Sequence, residues 1–380
     1  MKVGPKLDTA SILSLVANLR AYHGDNFPSI LMMIAFSKLA VNLENHEYNL
    51  PSCHLIGEMA TGKSRAADHM RSMLPYSVSP NGSTSVMRLD NPTESILNKL
   101  LCVSGPICIF DPPPALKEAT MNKILDHAYQ GVLHRTHNNS MESLKVSTGL
   151  MLVHAHEKRG MKSCNPTALS KAVIGVHERM ESANHEEMSK LDQEIMSQFE
   201  TNSGMFRIMV IPLEADELEE NKNSFTRVLN SNLQAVFGKQ TLNTNARLIQ
   251  NYGLYLASLK QCLADMHLPQ TVCLMLEQEL LTFFSTKCIP ENLRAIQISM
   301  GVKTIQIYAP ENLMGEITAK LSSMDFRELF QSIWIGTRKK DPADLKGPFQ
   351  RPNSKVEGSP RHVGKAIHFG KVTIQLELIS

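Results

Sequence analysis

Between positions 57 and 64 the chain reads Gly57-Glu58-Met59-Ala60-Thr61-Gly62-Lys63-Ser64: two glycines five residues apart, then a lysine and a hydroxyl. That spacing suits the binding of a polyphosphate. The glycines let successive backbone N–H groups turn toward one anion, and the first turn of a following helix adds more N–H groups and the positive end of its dipole. Glu58, Met59, Ala60 and Thr61 supply the backbone of the cradle. Lys63 places a point charge on β and γ phosphates, and the Ser64 hydroxyl is a ligand for Mg²⁺.

Such a loop works with an acid that holds the metal from a neighbouring strand. Ile107-Cys108-Ile109-Phe110-Asp111 is an apolar run closed by a carboxylate, 48 positions after Lys63, which makes Asp111 the second metal candidate. A turn-forming Asp-Pro after a buried strand is the plainer reading of the same residues. A further apolar run, Gly149 to Val153, ends in His154-Ala155-His156-Glu157. His154 and His156 would share one strand face and could ligate zinc with Glu157, with His134 and His137 upstream. No other ligand pair has matching spacing, and an uninvolved polar strand end is also open.

The first two segments together resemble the Walker A and Walker B motifs of P-loop NTPases. Over residues 30–260 the order of segments is similar to that of AAA+/RecA-type ATPases. Within that division it is similar to helicase-like ATPases of primase–helicase proteins and mobile elements. The resemblance implies ATP and Mg²⁺ as cofactors, with Lys63 and Asp111 in catalysis. It puts His154 at the sensor-1 position, where a polar group detects the γ-phosphate. It implies an arginine finger, for which Arg207 and Arg159 are the candidates, and a sensor-2 arginine, for which Arg247 is. One position departs from the pattern. The family usually carries a water-orienting glutamate directly after the Walker B aspartate, and this chain has Pro112. Glu94, Glu118 and Glu157 are the substitutes to consider; otherwise ATP is held with little hydrolysis.

The elements that must position these groups follow from periodicity. Residues 9–47 read as helices, with Leu13, Leu15, Val16 and Leu19 at helical spacing and Ile30, Ile34, Leu39 and Leu43 in a second pattern after Pro28. Cys53 to Ile56 is a short strand entering the glycine loop. Ala66, Ala67, Met70, Met73 and Leu74 then define one face of a helix. Asn91-Pro92 starts another. Uninterrupted apolar runs at 106–110 and 149–153 predict a parallel sheet covered on both faces. Phe206 to Pro212 reads as one more strand, opened by Arg207. The charge-dense stretch from His177 to Glu194 reads as a solvated helix, and 222–298 as helical. Residues 338–362, with four prolines and seven basic residues, read as a linker, and Ala366 to Leu378 has strand character. The expected fold is therefore α/β: a P-loop core over 49–215 between a helical segment, 1–48, and a helical lid, 216–300. A small mixed unit would follow over 301–380.

Composition limits the partners. The 39 basic and 37 acidic residues leave a net charge of +2, without the basic excess of a whole-chain nucleic-acid or membrane footprint. The seven cysteines are scattered with no CxxC pair, the most apolar stretch (30–36) is far below spanning length, and Met1 to Lys6 leads into no apolar run. An intracellular protein with buried free thiols and no membrane partner is expected.

The leading expectation is an Mg²⁺-dependent ATPase acting as a helicase-like or nucleic-acid-remodelling motor, assembled as a homo-oligomeric ring. Single-stranded nucleic acid is the candidate polymer. ATP is favoured over GTP because the nearest base-reading string, Asn122-Lys123-Ile124-Leu125, lacks its aspartate. An ATP-gated interaction protein is the alternative that Pro112 favours, and a nucleotide or small-molecule kinase is a second.

Overall fold

The computed structural model describes residues 9–43, 49–57, 60–73, 86–88, 107–111, 118–137, 140–146, 148–153, 171–178, 185–201, 208–237, 246–288, 297–300, 304–309, 361–363, 366–369 and 372–378. They fall into two units, one of 1–229 with 245–288 and one of 230–244 with 289–380. The 216–300 segment is shared between them.

In the first unit, β1 (Ser52–Ile56), β2 (Val86–Arg88), β3 (Ile107–Asp111), β6 (Gly149–Val153) and β7 (Ala172–Val176) form a sheet in the order β2-β3-β6-β1-β7, every pairing parallel. β4 (Val132–His137) and β5 (Ser140–Lys145) make a separate antiparallel hairpin. β1 and β6 are buried at every residue, which is why they read as unbroken apolar runs. The expected α/β architecture, a parallel sheet flanked by helices, is the one found.

Helix α1 (Thr9–His23) leads through one 3₁₀ turn, Gly24–Asn26, into α2 (Phe27–Val41). Apolar nearly all round, α2 lies against β1, β6 and β7 and is covered by α7 (Ala246–Asp265) and α8 (Gln270–Thr286). The approach to the sheet is close. A Cβ on Gly149 would lie 2.7 Å from Ala40 Cβ and 2.9 Å from Phe36 Cζ; one on Gly175 would lie 2.7 Å from Met32 Cε. Hydroxyls lock α7 in place, Ser258 donating to Ala35 O (2.9 Å) and Tyr255 to Pro51 O (2.9 Å). Helix α3 (Lys63–Ser72) follows β1, and α4 (Glu118–Gln130) follows β3 in the chain. The connections β1→β2 and β3→β6 cross the sheet in opposite directions, so right-handed crossovers place α3 and α4 on opposite faces. Helix α5 (His185–Thr201) packs on α1 and α3, and α6 (Ala215–Phe237) follows it in sequence.

Four expectations change. Residues 208–210 are helical rather than a strand, with Ile211 N–H bonded to Ile208 O. The cause lies on α2. The fully buried Lys38 donates to Ile208 O (2.6 Å), Ile211 O (2.8 Å) and Asp265 (2.8 Å), and Asn42 donates to Met209 O (3.1 Å). The apolar run is thereby drawn onto the end of α2 instead of a sheet edge. At the start of the charged stretch, His177 and Glu178 continue directly from β7 rather than being helical, and the described helix is His185–Thr201. Its inner face is not solvated either, since Ile195 and Phe199 are buried. The linker reading of 338–362 ends early, because Arg361 opens a strand.

The second unit holds β8 (Gln297–Met300), β9 (Thr304–Ala309), β10 (Arg361–Val363), β11 (Ala366–Phe369) and β12 (Val372–Leu378) in the order β10-β11-β12-β9-β8. Only β12–β9 is parallel, so this is a mixed sheet, and Gln297 is already strand where helix was expected. No helix among the described residues is long and apolar enough to cross a membrane. Cys53, Cys108, Cys262 and Cys288 are buried free thiols, and Cys273 is half-buried.

Gly149→Ala should lower stability by about 1–3 kcal/mol, because neither the Ala40 methyl nor the buried Phe36 ring can yield cheaply. A denaturant midpoint shift at unchanged m-value would report it.

Candidate phosphate-binding site

A sheet of parallel strands brings every strand's C-terminal end to one edge, where open α/β sheets place their ligands. Here that edge carries the loop after β1, the end of β3, the end of β6 and His177 after β7. Register fixes the levels. Leu55 pairs with Val153 and Phe110 with Leu152, so Asp111 lies level with Leu55, two residues before Gly57 and one intervening strand away, about 10 Å across the sheet. In the backbone register Asp111 faces Arg88 of β2.

The loop itself is built from special backbone. Ala60 (φ 64°) and Gly62 (φ 86°, ψ 4°) both take left-handed conformations, and Gly62 is the N-cap of α3. Gly57 is required for a different reason: a Cβ there would lie 2.3 Å from His177 O. Glu58 and Met59 lie outside the described residues.

Lys63, the first residue of α3, is 5% exposed. Its Nζ donates to Gly57 O and to Thr61 Oγ1, both at 2.9 Å, which folds the side chain back over the loop. Its cation sits at the positive end of the helix dipole, and the first turn of α3 has no acidic residue to offset it. An anion in the loop would remove that conflict. Ser64 is exposed. Arg65, one residue on, is already committed: Nε donates to Asp192 Oδ1 (2.6 Å) and Nη2 to Asp192 Oδ2, tying α3 to α5.

His177 walls the loop from the β7 side. Its N–H donates to Ile56 O (2.7 Å), Nε2 lies 2.5 Å from Ser29 Oγ, and Nδ1 lies 3.4 Å from Thr61 O. Asn26 clamps the next residue through Asn26 Nδ2 to Glu178 O and Glu178 N–H to Asn26 Oδ1, both 2.9 Å. Burial pushes the His177 imidazole down to about 4, Thr61 O opposes that, and the Lys63 charge adds to it. Behind α3, His23 Nε2 meets His69 Nδ1 (3.0 Å) and His69 Nε2 meets Asp192 Oδ1 (2.9 Å). Both rings are held below the usual histidine range, chiefly by burial.

The structure thus brings Gly57, Ala60, Thr61, Gly62, Lys63 and Ser64 into one cradle and puts Asp111 at the same sheet edge. Arg247, on α7, lies with its guanidinium over the Tyr129 ring of α4 (5.8 Å). Glu118 opens α4. Glu94, Pro112, His154, His156, Glu157, Arg159 and Arg207 lie outside the described residues. The sequence reading missed His177, Ser29 and Asn26. A signal was present, since Ala172 to Val176 is an apolar run closed by a polar residue, as at 149–154.

The His177 environment makes stability acid-sensitive. Above about pH 6.5 the imidazole is neutral in both states. Between about 6.5 and 4 the unfolded chain takes the proton and the folded chain does not, so stability falls as pH falls; below about 4 the loss is complete. Across that window wild type should lose on the order of 3 kcal/mol more than His177→Gln, read from urea midpoints at pH 7, 5.5 and 4. His23 and His69 act in both proteins and cancel in the difference.

No protein-family model matches the chain, and no curated protein matches it. Among solved structures the chain is similar to "SCCmec type IV Cch - active helicase", at 12% sequence identity and a TM-score of 0.49, covering 95% of this chain and 70% of that one.

Proposed function

We propose that the protein binds ATP with Mg²⁺ in the 57–64 loop and acts as an ATPase of the helicase-like, nucleic-acid-remodelling kind, working as a ring of identical chains. The observation that carries this reading is the buried Lys63 ammonium at the N-terminus of α3, folded onto Gly57 O and Thr61 Oγ1 in a loop of left-handed backbone. Those donors fit a polyphosphate: a strand, a glycine turn and a helix N-terminus present N–H groups and one cation to a single point. Lys63 would exchange its two loop contacts for β- and γ-phosphate oxygens. Ser64 and Asp111 would hold Mg²⁺, which supplies charge neutralisation on the phosphate oxygens. Thr61 and Gly62 keep the backbone turned inward, and His177 keeps Gly57 against the sheet.

The polymer-directed part rests on the resemblance in the order of motifs, with His154 as sensor, Arg207 or Arg159 as the finger reaching a neighbouring chain, and Glu157 as the water-orienting acid. Pro112 after Asp111 favours the second reading, an ATP-gated interaction protein with little turnover.

Lys63→Ala should abolish measurable Mg-ATP binding, a loss of at least about a hundredfold for removal of one buried charge contact and its preorganisation. Binding like wild type would remove the loop assignment. Turnover raised by single-stranded DNA or RNA in wild type and absent in Lys63→Ala is the outcome expected of a motor. Mg-ATP binding without turnover under any polymer would leave the gated reading.

A further inference from the structure

We propose that His177 is the positioning residue of the 57–64 loop and that it takes up a proton when a polyphosphate occupies that loop; this rests on the phosphate-binding reading of the loop. A count of protons against contacts carries it. Three side-chain contacts form a chain: Thr61 O to His177 Nδ1 (3.4 Å), His177 Nε2 to Ser29 Oγ (2.5 Å), and Ser29 Oγ to Asn26 O (2.7 Å). A neutral imidazole and one hydroxyl hold two protons for these three contacts. With the ring proton on Nε2, Ser29 accepts from it and donates to Asn26 O, and the Nδ1 lone pair then faces the Thr61 carbonyl. With the ring proton on Nδ1, Thr61 O is served, Ser29 donates to Nε2, and Asn26 O loses its hydroxyl. The length of the Thr61 contact beside the shortness of the Ser29 contact fits the first arrangement. Imidazolium satisfies all three at once: Nδ1–H to Thr61 O, Nε2–H to Ser29 Oγ, Ser29 O–H to Asn26 O.

What keeps the proton off is burial together with the Lys63 charge. Among the described residues, the charged and titratable groups around the ring are few. Lys63 faces it from α3, and His23, itself held neutral by burial, faces it from α1. Glu178, next in the chain, is turned to solvent and paired with Lys287 (2.9 Å), and the 3₁₀ turn and α2 contribute the uncharged Asn26 and Ser29. A polyphosphate on Lys63 cancels that opposing charge and adds negative potential. The proton comes from buffer and forms an N–H bond on the free ring nitrogen, with no bond broken in the ligand. The charged Nδ1–H then draws in the Thr61 carbonyl, one peptide before Gly62 and two residues before Lys63, and sets the loop that holds the phosphates. His177 touches no phosphate in this account; it acts through Thr61.

The test is calorimetric binding of Mg-ADP to the full chain at pH 6.5 in two buffers of different ionisation enthalpy, for wild type and His177→Asn. Asparagine keeps an N–H donor for Thr61 O and cannot titrate. Wild type should take up a fraction of a proton more than His177→Asn, and its affinity should rise relative to the variant as pH falls, by no more than about tenfold per pH unit. His177→Ala, lacking the donor, should bind about tenfold more weakly than wild type, and His177→Asn should be affected less. Equal proton uptake in wild type and His177→Asn, with both binding, overturns the proposal and leaves the phosphate reading intact. Failure of wild type to bind Mg-ADP overturns both. Should His177→Asn not fold, Ser29→Ala should lower the uptake by removing the acceptor at Nε2. The His177 ring-proton NMR shift in wild type should also move toward its imidazolium value on adding Mg-ADP; an unmoved shift counts against the proposal.

Discussion

A lysine ammonium buried at the positive end of a helix is electrostatically costly, and the first unit is arranged around that cost. Two carbonyl and hydroxyl contacts hold Lys63 Nζ, but both acceptors belong to the loop whose shape the lysine itself enforces. The loop is kept in that shape by the left-handed turn at Gly62 and the missing Cβ at Gly57, and from outside by His177 at the end of β7. Without the close packing of β1 against β7, those two acceptors would no longer be held in place.

Charge elsewhere in the unit follows the same logic of commitment. Arg65, the other cation of that first helical turn, is neutralised by a two-pronged contact to Asp192, which also receives His69. Burial alone would raise the Asp192 carboxyl, yet the Arg65 and His69 hydrogen bonds bring it below its ordinary value. Lys38 is satisfied by two carbonyls and Asp265, which crosslinks α2, the 208–211 turn and α7. Lys63, by contrast, is folded onto Gly57 O and Thr61 Oγ1 of its own loop.

The parallel core was legible because buried strands write themselves as apolar runs: 52–56, 107–111 and 149–153 are strands where such runs stand. The loop was legible because its glycines answer to steric demands that no other residue meets. The 206–212 run misled because apolar content does not distinguish a strand from a buried helical turn; side chains of Lys38 and Asn42, some 170 residues earlier, decide it. His177 was hidden because a histidine beside Glu178 and Arg179 looks like surface, and only the pairing of β7 with β1 turns it inward. The mixed pairing of the C-terminal sheet, with β12 parallel to β9, depends on contacts between segments far apart in sequence and has no local signature.

The all-round apolar character of α2 has a consequence for synthesis on the ribosome. Its sheet-facing side is covered by β6 and β7, but its other side waits for α7, which begins at Ala246, roughly 200 residues after α2 ends at Val41. At about 5–20 residues per second, a greasy helix with no polar side stays uncovered for about 10–40 s. The nascent chain is therefore a natural client for chaperones that shield apolar helices, and truncation before α7 should yield aggregates rather than a smaller folded domain.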